Sequence, residues 1–163
     1  MIFVTVGTQL PFDRLIRTVD AWAGRTGRRD ILAQIGPSEL HPQFIEYHPF
    51  LSPPEFTRHF SNAELVIAHA GMGSILSAMS LGKPILVIPR RAGLNEHRND
   101  HQFATARCFK ETGNILVALD EQELGAQLSR LESIPAASRI GLYASPELLA
   151  AVRAFLSNDE RIS

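Results

Sequence analysis

One cysteine, Cys108, occurs in 163 residues. A single thiol excludes an internal disulfide framework and any cysteine-rich metal site, and it fits a reducing compartment. An excess of either charge is also missing. Sixteen Lys plus Arg stand against 17 Asp plus Glu, so no net field favours a nucleic-acid backbone, and general nucleic-acid binding drops away. Nor is there a run of the roughly 18 to 20 apolar residues that a membrane-spanning helix needs. Met1 to Val6 lacks the basic leader of a signal peptide, and a cytoplasmic chain with at most peripheral membrane contact is expected. What is present is 45% hydrophobic and 20% charged residues. That is enough to bury one core, and a single domain over 1–163 is the expectation.

Short β-branched runs alternate with longer amphipathic stretches. Ile2 to Val6 reads as a strand stopped by Gly7, and Phe12, Leu15, Ile16, Val19 and Trp22 recur at helical spacing. Further strands are predicted at Ile31 to Ile35, Phe44 to Tyr47, Glu64 to Ala68, Pro84 to Pro89 and Ile115 to Leu119. Helices are predicted from Pro53 to Phe60, Ser74 to Leu81, about His97 to Phe109, and onward from Glu121. Strands joined by helix-length crossovers imply a Rossmann-like, mainly parallel α/β sheet covered on both faces. Ser145-Pro146-Glu147 reads as the cap and first turn of a C-terminal helix near 146–156, with an apolar stripe that includes Phe155.

In such a sheet, ligands gather at the carboxyl ends of the strands. His69-Ala70-Gly71-Met72-Gly73-Ser74 follows one predicted strand and opens a helix, so its amides could face an anion. Gly7-Thr8-Gln9 occupies the equivalent turn after the first strand. A purely structural turn explains the same glycines, and the loop matches neither the GxGxxG dinucleotide fingerprint nor a P-loop. Dehydrogenase and ATPase are therefore poor readings.

Arg90 and Arg91 follow a strand and either pair with a diphosphate or occupy a solvated loop. Phe50 and Leu51 either lie beneath a base or belong to the core. The polar segment Asn95 to Gln102 begins a predicted helix, where His101 and Gln102 could bond sugar hydroxyls and Asp100 could hold a loop. His97 and His101 would share a helical face, but no third ligand completes a metal site, and no metal or cofactor is assigned. Cys108 is expected to be a buried structural thiol. The residues around Ser74 do not reproduce the hydrolase elbow.

The blocks His69 to Leu76, Gly82 to Pro89 and Asn99 to Gln102, with Phe3 to Gln9 and Gln34 to Gly36, resemble the carboxyl-terminal domain of family 28 glycosyltransferases. The likeness spans roughly the first 110 residues. It is strongest to stand-alone members, namely bacterial exopolysaccharide subunits and the small subunit of the eukaryotic transferase that adds the second N-acetylglucosamine to dolichol-linked sugar. The resemblance implies the C-terminal half of a GT-B architecture and inverting transfer from a UDP-sugar to a lipid-linked saccharide acceptor. A membrane-associated acceptor-binding subunit would recruit this chain to the inner face of the membrane. By family position, Gly71, Met72, Gly73, Ser74 and Arg90 would meet the diphosphate, and Phe50, Leu51 and Ser77 the nucleoside. Asn99, His101 and Gln102 would meet the sugar, while Gly7, Thr8, Gln9 and His69 would border the interdomain cleft. Many relatives carry a ribose-binding Glu where this chain has Ser77, which cannot make the charged two-hydroxyl contact. The catalytic base is not assigned to this chain. A non-catalytic partner that stabilises or enhances another subunit is the alternative function.

Overall fold

Every side chain of Ile2-Phe3-Val4-Thr5 is buried, which requires cover on both faces of the strand that contains them. The computed structural model describes residues 1–112 and 115–133 and supplies that cover. Strand β1 (Ile2–Thr5) leads through a loop to helix α1 (Asp13–Thr26), then β2 (Ile31–Gln34), β3 (Glu46–His48), α2 (Pro53–Asn62) and β4 (Leu65–His69). Helix α3 (Met72–Ser80), β5 (Ile85–Ile88), α4 (His101–Thr112), β6 (Leu116–Val117) and α5 (Glu121–Ser133) follow. The strands form one sheet in the order β3-β2-β1-β4-β5-β6, with every neighbouring pair parallel. The predicted Rossmann-like class is thus the observed one.

Period-two alternation divides the core between the two faces. Ile2, Val4 and Val6 pack with Leu15, Ile16, Val19 and Trp22 of α1 and with Leu124 and Leu128 of α5. Phe3 points the other way, onto Phe60 of α2 and the cluster containing Ile75, Ala78 and Met79 of α3 and Ala106 and Phe109 of α4. Local chemistry marks the helix ends. Ser52 and Glu55 make a reciprocal capping box across Pro53 and Pro54, and Gly27, at φ 70°, closes α1 in the left-handed region.

Two expectations are corrected. The helix predicted from His97 begins only at His101. The residues before it are held as a loop by a left-handed Asn95 (φ 57°) and by the Asp100 carboxylate, which accepts from the Ala92 N–H at 2.9 Å. Cys108 is exposed, not buried. Thr105, Ala106 and Phe109 turn inward, and Cys108 stands about 200° round the helix from Ala106. The C-terminal helix predicted near 146–156 lies outside the described residues.

At the amino edge of the sheet, Asp20 of α1 fixes the start of β3. Its carboxylate accepts from the N–H groups of Gln43, Phe44 and Ile45 at 2.8–3.2 Å. Asp20→Ala is expected to lower unfolding stability by about 1–3 kcal/mol. A shifted urea midpoint at unchanged slope checks this.

Candidate functional site

The strand order reverses between β1 and β4, where the loop after β1 runs toward β3 through α1 and the loop after β4 runs toward β6. Such a switch point opens a crevice at the carboxyl ends of the strands. A cavity of about 380 Å³ lies there. Its floor comes from Val6 to Leu10 after β1 and His69 at the end of β4. Gly73, Ser74 and Ser77 of α3 form one wall, and Phe56 and Phe60 of α2 form an apolar one. Arg90, His97 and Gln102, from β5 onward, close the far side.

Helix α3 presents its amino terminus to this space. The first hydrogen bond of the helix runs from Ile75 N–H to Gly71 C=O, so the amides before Ile75 have no intrahelical acceptor and carry the positive end of the dipole. The two glycines of this loop do different work. A Cβ on Gly71 would sit 2.1 Å from the His69 ring, whereas one on Gly73 would meet nothing within 4 Å. Gly71 is therefore small for packing, and Gly73 is small beside open space.

His69 is fixed from behind, since its Nδ1 accepts from the Gly71 N–H at 2.8 Å. That bond leaves the proton on Nε2 in the neutral ring. Nε2 faces Gly7, whose φ of 78° and lack of Cβ permit the approach; a Cβ there would lie 2.6 Å from it. Burial pushes the imidazole down from 6.5 to about 4, helped by the neighbouring positive charge of Arg90 and by His97. His69 is therefore neutral at pH 7.

Arg90 does not offer the bidentate fork expected of a diphosphate ligand. Its Nη1 donates to the carbonyls of Pro11 (2.7 Å) and Glu96 (3.0 Å), and its Nη2 to those of Val6 (2.7 Å) and Leu10 (2.6 Å). All four terminal N–H hydrogens are thus spent on backbone. The guanidinium also lies 4.8 Å above the Phe12 ring. Burial lowers its pKa to about 10, opposed by Glu96, so the charge persists and adds positive potential to the cavity. Glu96 itself takes both Arg14 Nε and Nη2 at 2.8 Å and the Arg91 N–H at 2.9 Å.

The sequence expectations divide accordingly. Gly7, Thr8, Gln9, His69, Gly73, Ser74, Ser77, Arg90 and Gln102 come together at the cavity. Gly71, Met72, Phe50, Leu51, Asn99 and His101 do not line it. Met72 and Leu51 pack on the core, Phe50 is exposed, and Asn99 turns to His97. The helical-face pairing of His97 with His101 also fails, since His97 lies outside α4. Sequence reasoning did not bring Phe56, Phe60 or His97 to the cavity. The first two carry an ordinary core-helix signal, and the last reads in sequence as part of a polar helix start and as half of an incomplete metal pair.

The depressed His69 pKa has a signed consequence. Between about pH 6.5 and 4 the unfolded chain binds the proton that the folded ring refuses, so stability is full above this window and is lost as pH falls through it. In His69→Asn, whose Oδ1 keeps an acceptor for the Gly71 N–H, urea midpoints are expected to fall less steeply over the same range.

The geometry can be set beside known proteins. The chain is 28% identical over 142 residues to UDP-N-acetylglucosamine transferase subunit ALG13 of Yarrowia lipolytica, covering 77% of this chain and 68% of that protein. The Homo sapiens protein of the same name is 31% identical over 125 residues, but these cover 10% of its length and 70% of this chain. Among solved structures, the NMR solution structure of ALG13 aligns with a TM-score of 0.57 at 21% identity, over 81% of this chain and 85% of that one. The glycotransferase of kitacinnamycin aligns with a TM-score of 0.61 at 24% identity, over 91% of this chain and 39% of that one. At these identities the structures speak for the fold. Residues 1–138 match the profile of the glycosyltransferase family 28 C-terminal domain, and with the switch-point cavity placed as it is, the chain belongs to that family.

Proposed function

We propose that this chain is the nucleotide-sugar side of a glycosyltransferase whose acceptor side lies on another chain. The observation that carries the reading is the charge of the cavity. The α3 amino terminus and Arg90 make it positive, and no Asp or Glu is among its described lining residues. Such a site suits a diphosphate, which the amides of Gly73 and Ser74 and the Ser74 hydroxyl would receive as donors. Arg90 would act through its field and not by direct contact. Phe56 and Phe60 offer an apolar wall for the nucleoside, with Ser77 as a single hydroxyl beside it. Phe50 is available to a base that extends past the cavity, and Gln102 to the sugar.

In inverting transfer the acceptor oxygen attacks the anomeric carbon, the glycosidic bond to the diphosphate breaks, and the acceptor proton goes to a base. The described cavity lining offers no carboxylate for that last task, and His69, held near a pKa of 4, is a weak base. The base is therefore assigned to the partner. A lipid-linked saccharide as acceptor and a membrane-associated acceptor-binding subunit as partner complete the proposal, supported by relatives that bear the name of a transferase subunit.

Ser77, a single hydroxyl where many relatives carry a ribose-binding Glu, favours a second reading, in which the chain supports the other subunit without holding the donor itself. Isothermal titration of the chain, alone and with the subunit, against UDP and UDP-sugars separates the two. Saturable donor binding that requires this chain's cavity supports the first; its absence in the complex supports the second.

Two substitutions follow. Gly73→Val is expected to fold normally, since its Cβ meets open space. It should nevertheless weaken UDP binding roughly tenfold or more, about 1.4 kcal/mol or above. Unchanged affinity would remove the α3 terminus from the site. Gln102→Ala is expected to lower transfer in the reconstituted complex more than it lowers UDP affinity. Equal losses would place Gln102 in the framework, through its 3.2 Å bond from the Arg90 N–H.

A further inference from the structure

The loop between β5 and α4 is held more firmly than its polar sequence implies. Glu96 is gripped through its side chain by Arg14 of α1 and the Arg91 N–H, and through its carbonyl by Arg90. The next residue is His97, which lines the cavity. Its Nδ1 is turned onto Asn99, at 3.1 Å from Oδ1 and 3.2 Å from the carbonyl, with the Asn99 N–H at 3.4 Å. The ring nitrogen left for the cavity is Nε2. The two Asn99 oxygens are acceptors and take the Nδ1–H, so Nε2–H is present when both ring nitrogens carry protons, the form that an anionic oxygen at Nε2 stabilises. His97 also lies near enough to His69 to act electrostatically on it.

We infer that His97 is a ligand-contacting residue of the donor site, its Nε2–H donating to the outer phosphate of a nucleoside diphosphate. The inference rests on the nucleotide-sugar reading above and adds to it a residue and a role. The charge pattern selects the ligand atom. A ring pinned through Nδ1, in a cavity that already holds the α3 terminus and Arg90, finds the best partner for an Nε2–H in an anionic oxygen. Gly73 and Ser74 approach from α3, and His97 from the loop after β5. A diphosphate spanning the cavity would meet donors from both.

Two amide substitutions divide the ring's two roles. Gln places its amide nitrogen near the former Nε2, while Asn places its polar atoms near the former Nδ1. Titration of UDP and UMP into each folded variant by calorimetry is the test. His97→Ala and His97→Asn are expected to lose roughly fivefold or more in UDP affinity with little change for UMP, and His97→Gln to recover most of the loss. Wild-type affinity for UDP in His97→Ala overturns the inference. So does rescue by Asn in place of Gln, which would make the Asn99 contact, and hence loop structure, the residue's role. Equal losses for UDP and UMP overturn the assignment to the outer phosphate. Failure of the unmodified chain, alone or in its complex, to bind UDP would instead sink the underlying nucleotide-sugar reading.

Discussion

Arg90, 3% exposed, is the constraint on which the site depends. Its four bonds reach the carbonyls of Val6, Leu10, Pro11 and Glu96, so one side chain after β5 sets the shape of the loop after β1 and of its own loop. A cation removed from water is tolerated only if its donors are satisfied. Here carbonyl oxygens satisfy them without cancelling the charge, and Glu96 engages the guanidinium by its backbone while its carboxylate is taken by Arg14. Rigid walls and residual positive potential therefore have one source.

That potential is reinforced by placement. Parallel pairing puts every strand's carboxyl end on one edge, and the reversal between β1 and β4 leaves a gap there that neither crossover fills. The helix following β4 starts at the gap and directs unpaired amides into it. His69 adds a neutral N–H, kept neutral by burial and by the charge of Arg90. Gln34, 2% exposed, steadies the floor from the other side, donating to Gly7 C=O and accepting from the Leu51 N–H. The cavity thus combines a helix terminus and a buried cation with no carboxylate among its described lining residues, which matches an anion better than a neutral sugar alone.

The α1 face also serves the site. The guanidinium groups of Arg14 and Arg90 both lie over the Phe12 ring, 5.2 and 4.8 Å from its centroid. The clasp from Arg14 to Glu96 and Glu121 joins α1, the loop after β5 and the start of α5. Core packing and loop geometry are continuous here, and the edge of the hydrophobic core acts as the mounting of the cleft.

Much of this was legible in the residues. The strands showed as short β-branched runs, the helices as apolar stripes, and the parallel class as their alternation, because periodicity and crossover length are local properties. The glycine loop after β4 and the turn after β1 could be nominated for the same reason: both follow strands. Side-chain destinations were not legible. Arg90 reads as a free cation until the β1 loop is folded against it, and Phe56 and Phe60 read as plain core until α2 crosses beside α3. His97 reads as helical until the ties from Asp100 to Ala92 and from Glu96 to Arg14, which span 8 and 82 residues, are formed. The sequence by itself determined the class of fold and the two loops at its switch point. Only the tertiary structure decided which side chains face the cavity and which are spent on backbone, because that depends on hydrogen bonds between segments distant in the chain.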